Sequence, residues 1–310
     1  MRKRAIQDGD LPQIRDILQT VFQDPSYEKV ERLGGLTNRT YHVTRPDHRE
    51  YIVRIPGEGT QDMIDRTQEK ASSELACRQG IDTDLLYFDG ATGRKVTRCI
   101  PEAVTMNRDM MKREENAGMA AAVFRRLHDC REDTHVPFEV FDMAASYERI
   151  IEQKQVALYD DYDAVKQQVI AIKRRTDQEN VIEKVPCHND PLCENWVFSE
   201  SEKKMYLVDW EYAGMNDPFW DLADLSIEAE FDAEQDRLFL EKYLGRKPTL
   251  AQQRHFLACK VYVDYLWTLW ALTRVPYDGE PMQQWADERY QRLKSNLQAY
   301  DGLRQGGGSC

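Results

Sequence analysis

The sequence predicts an α+β protein built as two lobes, a small antiparallel β-sheet lobe with one helix followed by a larger, mainly helical lobe. Three observations carry this reading. Up to about residue 100, short runs of β-formers alternate with turn residues: Tyr41-His42-Val43, Tyr51-Ile52-Val53-Arg54-Ile55, Leu85 to Phe88 and Lys95 to Ile100. Pro101 breaks that pattern, and from about Asp109 long helix-forming stretches dominate. They are interrupted once, by a β-like passage from Val185 to Trp210.

Taken in order, residues 11–22 set Leu11, Ile14, Ile17, Leu18, Val21 and Phe22 at helical spacing, with Pro12 near the start, where proline is tolerated. Gly34-Gly35, between two β-rich runs, reads as a hairpin turn. Residues 61–79 contain no Pro or Gly and read as the helix laid across the sheet. Residues 1–100 are thus expected to form the first lobe, 101–305 the helical lobe, and 306–310 (Gly-Gly-Gly-Ser-Cys with its lead-in) a flexible tail, either appended or native. A junction near Pro101 suggests a cleft, the kind of place ligands favour.

The chain has 310 residues, 41% of them hydrophobic, enough for a sizeable core. Asp+Glu number 54 against Lys+Arg 42, a net charge of −12, which argues against nucleic acid as a partner because phosphate binding wants clustered cations. The acidic field mildly favours a cationic small molecule. Seven scattered cysteines form no CxxC pair, so neither a zinc site nor a disulfide framework is expected, and a reducing, cytoplasmic setting is the simplest reading. No apolar run follows the basic start, and none is long enough to span a membrane.

The chemistry concentrates in Cys187-His188-Asn189-Asp190-Pro191-Leu192-Cys193-Glu194-Asn195 and in Met205-Tyr206-Leu207-Val208-Asp209-Trp210-Glu211-Tyr212. These read as a loop, a strand, a turn and a returning strand that ends at a carboxylate beside Asn195. Asp190 precedes Asn195 by five residues, the spacing of the kinase catalytic loop, and Asp209 stands where kinases place a metal-holding Asp. Phosphoryl transfer needs these types. One carboxylate orients the attacking hydroxyl and takes its proton, while an amide oxygen and a second carboxylate suit Mg²⁺, which prefers oxygen. His188 reads as a structural residue of the loop.

His188-Asn189-Asp190 with Asn195, Val208 to Gly214, and Asn216-Asp217-Pro218-Phe219-Trp220-Asp221-Leu222-Ala223-Asp224 resemble the signature of the choline/ethanolamine kinase family, of bacterial choline kinase type, within the aminoglycoside-phosphotransferase-like group. The resemblance runs from about Leu33 to Tyr290 and implies a protein-kinase-like fold that uses Mg·ATP. It implies Asp190 as the catalytic residue, and Asn195 and Asp209 on the metal. For the nucleotide it implies Gly34, Gly35, Thr37 and Asn38 over the phosphates. Arg54 would be the phosphate cation, paired with Glu69, or with Glu74 in another register, and Arg98, Cys99 and Ile100 would lie at the adenine. Asp221 either supports the catalytic loop or touches substrate. Arg125 to Asp129 resembles a helix bracing that loop, which makes His128 structural.

Trp267 and Trp270 lie three residues apart on a helix-like run over 256–272 and share a face, with Trp285 following after a Pro/Gly break. By themselves such aromatics read as core. The resemblance implies instead a choline pocket of Trp267, Trp270 and Trp285, with Tyr212, Glu228 and Glu211 as further substrate residues and Glu211 also a candidate for the metal surroundings. A quaternary ammonium offers no N–H, so aromatic faces and carboxylates select it. The implied reaction moves the γ-phosphate of ATP to choline. Alternatives are the same chemistry on ethanolamine or another amino alcohol, and a non-catalytic choline-binding relative.

Overall fold

The computed structural model describes residues 6, 9–33, 38–57, 64–179 and 181–306. The chain divides into two compact units, one comprising Met1–Met106 with Glu194–Gly214, the other Asn107–Cys193 with Met215–Cys310.

The first unit opens with α1 (Asp10–Phe22) and continues through β1 (Lys29–Arg32), β2 (Asn38–Thr44), β3 (Glu50–Pro56), α2 (Arg66–Arg78), β4 (Leu85–Phe88), β5 (Lys95–Arg98) and β6 (Ala103–Thr105). β1 to β5 make one antiparallel sheet in the order β1-β2-β3-β5-β4. The strict alternation of β2 and β3 explains its two faces. Tyr41, Val43, Tyr51, Val53 and Ile55 join Ile14, Ile17 and Leu18 of α1 in one buried cluster. Burying each such side chain contributes about 1.5–3 kcal/mol. The opposite face carries His42, Glu50, Ile52 and Arg54. Two helices belong to this unit, α1 where the helical spacing over residues 11–22 predicts it and α2 within the run read over 61–79. α2 starts at Arg66 rather than 61, because the Asp65 side chain accepts the N–H groups of Thr67 and Gln68 and caps it there. β5 stops at Arg98, short of the expected Ile100.

The second unit takes α3 (Arg108–Met111), α4 (Glu114–His128), α5 (Val140–Gln153), α6 (Tyr162–Glu179) and β7 (Val185–Cys187). A 3₁₀ turn, Cys193–Asn195, then leads into the hairpin of β8 (Trp196–Ser199) and β9 (Lys204–Leu207). This hairpin corrects the boundary expected at residue 100. It belongs to the first unit, because β6 pairs with β8 in the order β6-β8-β9 and Leu207 donates its N–H to the Ile81 carbonyl at 3.2 Å.

The chain closes with β10 (Gly214–Asn216), paired with β7, and with α7 (Pro218–Glu228), α8 (Ala233–Leu244), α9 (Leu250–Asp278) and α10 (Glu280–Gly306). α9 is the axis of the second unit, packed by α5, α6, α7 and α10 and buried on nearly every side from His255 to Thr273. A helix enclosed in this way is largely apolar on every face, and its buried charged residues are paired, Lys260 with Asp236 and Asp264 with Arg292. Pro276 sits inside its last turns, and the break before Trp285 falls at Gly279, φ 70°. Among the described residues no helix is long and apolar enough to cross a membrane.

Candidate active site

In the first unit a buried charge cluster forms on the sheet face opposite α1. Arg54 on β3 forms an ion pair with Glu69 on α2, donates to the Gly93 carbonyl at 3.0 Å, and lies 3.5 Å from an Asp209 oxygen. Glu74, the other register, is exposed beside Lys70. Arg66 donates to the second Glu69 oxygen at 2.6 Å, so one carboxylate serves two guanidinium groups. Gly93 has φ +75°, and a Cβ there would meet the Arg66 side chain at 2.7 Å and Pro56 at 2.9 Å. Only glycine leaves room for this packing.

The β8–β9 hairpin pairs Trp196 with Leu207, and Val208 donates its N–H to the Asn195 carbonyl at 2.9 Å. Asn195 and Asp209 are thereby brought to the same end of the ladder. Asp209 is in the left-handed region at φ 71°, strain of about 1–3 kcal/mol for a non-glycine residue, held by the surrounding structure. Glu211 accepts from Asn38 Nδ2 at 3.0 Å and lies 3.4 Å from Arg66. Burial, followed by the Asp209 charge, raises the Glu211 pKa to about 7. Burial also pushes Asp209 up, with Arg54 opposing it. Two carboxylates that resist joint ionisation, next to an amide side chain, are a hard oxygen donor set of the kind that fits a divalent cation such as Mg²⁺.

Gly34, Gly35 and Thr37 lie outside the described residues. Arg98 is exposed, with Nε 3.0 Å from Asp84, so its side chain belongs to a surface ion pair rather than to the Arg54 cluster. Cys99 is partly buried and donates its N–H to the Glu50 carbonyl at 3.2 Å, while Ile100 is buried. Tyr212 is half-buried beside Glu211 in the chain.

The second unit holds the loop before Asp190 by a dense set of bonds. Asp221 on α7 accepts the N–H groups of His188 and Asn189 at 2.8 and 2.7 Å. Asn216 Nδ2 donates to Asn189 Oδ1 at 2.9 Å, and Trp220 Nε1 donates to the Asn189 carbonyl at 3.0 Å. Asn189 is left-handed, φ 67°. His128 Nε2 lies 3.1 Å from Asp221 Oδ2, and its Nδ1 lies 2.9 Å from the Tyr243 hydroxyl. The ring thus bridges Asp221 and Tyr243. Asp221 is therefore a brace for the loop, as is His128. Sequence reasoning missed Asn216, Trp220 and also Tyr147 of α5, whose hydroxyl is pushed up by burial and then by the charge of Asp190. The first two sit in the quoted Asn216–Asp224 passage, whereas Tyr147 carries no local signal.

Trp267, Trp270 and Trp285 do meet. Trp267 and Trp270 are edge to face with centroids 6.1 Å apart, and Trp270 and Trp285 are 5.9 Å apart at 75°. Trp270 Nε1 is buried without a partner. Glu228 requires a correction as the carboxylate reserved for a ligand's charge. It forms an ion pair with Arg289 of α10, whose guanidinium also lies 4.1 Å over the Trp285 ring. Arg292 binds Asp264 of α9 at 2.7 Å. That leaves Asp224, fully buried one helical turn before Glu228. Its Oδ2 accepts from Trp267 Nε1 at 3.2 Å, and its Oδ1 has no partner. Burial and then Glu228 push its pKa well up. Asp224 thus keeps its proton beside two satisfied ion pairs, Glu228 with Arg289 and Asp264 with Arg292, and near the Asp221 carboxylate.

Residues 30–293 match the family model described as choline/ethanolamine kinase. The chain belongs to the choline/ethanolamine kinase family. Among solved structures it is similar to a choline/ethanolamine kinase family protein from Mesorhizobium loti, 33% identical, with a TM-score of 0.81 over 92% of this chain and 94% of that one. It is similar to the choline kinase LicA from Streptococcus pneumoniae, at 29% identity and TM-score 0.80 over 93% and 99%. A LicA structure in complex with AMP matches at 27% and 0.78 over 95% and 100%. The two-part α+β architecture described above is the kinase-like fold of this family, and the matched span takes in Arg54, Asp190, Asp209 and all three tryptophans.

Proposed function

We propose that this kinase transfers the γ-phosphate of ATP to the hydroxyl of choline, giving phosphocholine and ADP. The observation that carries the acceptor is the buried Asp224 carboxyl with one unpartnered oxygen, next to three tryptophans set edge to face, where a bound positive charge would favour its ionised form. A quaternary ammonium supplies that charge without needing an acceptor for an N–H, and each aromatic face adds roughly 0.5–2 kcal/mol. Asp224 takes the electrostatic role that the sequence suggested for Glu228, because Arg289 already neutralises Glu228. The LicA relative described as a choline kinase supports the same acceptor.

In this reading Arg54, fixed by Glu69, and Asn38 face the nucleotide phosphates, with Gly34, Gly35 and Thr37 contributing backbone and hydroxyl donors. Asn195 and Asp209, with Glu211 nearby, would hold Mg²⁺, which when bound neutralises phosphate charge. Cys99 and Ile100 take the adenine edge. Asp190 accepts the hydroxyl proton as the choline oxygen bonds to the γ-phosphorus and the bond to the β–γ bridging oxygen breaks. The braced Asn189 backbone fixes where Asp190 begins. Six free cysteines among the described residues fit a reducing, cytoplasmic setting.

The test is an acceptor panel with Mg·ATP, scored by ADP release. Choline should give the highest kcat/KM. Faster turnover of ethanolamine, whose ammonium could donate to the free Asp224 oxygen, would move the assignment to the other substrate in the family's name. ATP binding without turnover of any amino alcohol would overturn the reaction itself.

A further inference from the structure

On the sheet face opposite α1, three side chains with metal-binding chemistry converge outside the charge cluster. Thr44 pairs with Glu50 across β2 and β3, so His42, two residues back, shares the face and lies diagonal to Glu50. Cys99 follows β5 directly, and its N–H bonds the Glu50 carbonyl, which draws the end of β5 alongside. The result is a His nitrogen, a carboxylate oxygen and a sulfur all within 4.8 Å of one another. His42 Nε2 and Glu50 Oε1 are 3.5 Å apart. A tetrahedral zinc ion, with bonds of about 2.0–2.1 Å to N and O and about 2.3 Å to S, separates its ligands by roughly 3.3–3.6 Å. The three donors need little movement to reach that spacing.

We propose that His42, Glu50 and Cys99 form a binding site for a thiophilic divalent cation, Zn²⁺ in the first instance, with water as the fourth ligand. Solvent access fits this. Glu50 is half exposed and His42 partly so, which leaves an entry path and an open coordination position. Of the two other such trios among the described residues, His128, Cys187 and Asp221 are all buried and already joined by the His128–Asp221 contact at 3.1 Å, and Asp217, His255 and Cys259 are closed by a 2.6 Å His255–Asp217 contact. Burial holds the Cys99 thiol up at about 11, so metal binding has to displace its proton, and the site favours ions that bond strongly to sulfur over Mg²⁺. Occupied, it ties β2, β3 and the end of β5 together.

The whole chain, reduced and stripped of metal, in a Cys310→Ser background, is titrated with Co²⁺ and then Zn²⁺ in the absence of nucleotide, acceptor and Mg²⁺. The readout is therefore separate from the phosphotransfer reading. One equivalent of Co²⁺ should give tetrahedral d–d bands with a thiolate charge-transfer band, both abolished by Zn²⁺, and Zn²⁺ should raise the Tm. Cys99→Ser should remove the thiolate band and weaken binding at least about tenfold. His42→Ala and Glu50→Gln should weaken binding but keep the band, and Cys77→Ser should change nothing. The metal-free Tm of each variant checks folding, and Cys99→Ala repeats the test with a second side chain. A thiolate band that survives in Cys99→Ser and Cys99→Ala, or binding unchanged when His42 and Glu50 are replaced together, overturns the site.

Discussion

Asp221 Oδ1 accepts the backbone N–H of Asn189 at 2.7 Å, and so fixes a left-handed residue immediately before the proposed catalytic carboxylate. Charge-assisted hydrogen bonds contribute about 1.5–3 kcal/mol each, and Asp221 makes two to the backbone of this loop. Asp221→Asn keeps the size but replaces one acceptor with a donor. It should lower stability by about 2–4 kcal/mol and reduce kcat at least tenfold, with a small change in KM for ATP. Denaturant unfolding and steady-state kinetics check this. Unchanged kcat with reduced stability would make Asp221 a folding residue only.

The Arg54–Glu69 pair is buried, with Glu69 almost fully so. Removing one partner strands a desolvated charge, and breaking such a pair costs about 3–5 kcal/mol. Glu69→Gln should therefore destabilise the protein by that amount and weaken ATP binding, while Arg54→Met/Glu69→Met loses less than the sum of the single changes. A double-mutant cycle by chemical denaturation reads the coupling, expected above about 1 kcal/mol. Additive losses would mean that Arg66 and Asp209 replace the missing partners.

Much of this was legible in the residues. The period-two runs place β2, β3, β4 and β5, and Asp190, Asn195 and Asp209 announce themselves by spacing. The Glu69 partner of Arg54 was also open to reading, because a strand guanidinium needs a carboxylate. What was not legible depends on pairing across long chain separations. The β8–β9 hairpin joins the first unit through β6, ninety residues earlier, which no local pattern encodes. Arg289 lies 61 residues from Glu228, so the neutralisation of that carboxylate, and the buried Asp224 left with an unpartnered oxygen, follow only from the packing of α7, α9 and α10. The start of α2 was missed for a nearer reason, since helix propensity over 61–65 hid the cap at Asp65.

Trp267→Ala and Trp270→Ala should each raise KM for choline about 2- to 30-fold, the equivalent of roughly 0.5–2 kcal/mol of lost cation–π attraction, and leave KM for ATP within twofold. Trp270→Phe keeps a ring face and should fall between Ala and wild type. Parallel rises in both KM values would return the tryptophans to a core role.

Asp224 gives a pH dependence with a definite sign. It faces Asp221 and Glu228 of its own helix, Trp267 of α9 and Arg289 of α10, and its folded-state pKa stands well above the ordinary carboxylate value. The fold therefore retains a proton that the unfolded chain has released. Its stabilising contribution is complete below the ordinary value and is lost as pH rises through the folded one. Asp224→Asn, neutral at every pH, should flatten the fall of Tm as pH rises above the ordinary carboxylate range and raise KM for choline. Parallel Tm profiles for the two proteins would place the titration elsewhere.

Asp190→Asn separates chemistry from binding most directly. The amide keeps the size and the loop contacts, including the N–H aimed at His188 Nδ1 at 3.4 Å, but cannot take the hydroxyl proton. General-base contributions of about 10²- to 10⁴-fold set the expected loss in kcat. Because Arg54, Glu69 and Asp209 are untouched, ATP affinity by calorimetry should stay within twofold, and choline affinity should do the same. A variant that turns over at the wild-type rate would remove Asp190 from the reaction. One that loses ATP binding along with turnover would make it a structural residue of the loop, whose own neighbours Asp221, Asn216 and Trp220 already hold Asn189 in place.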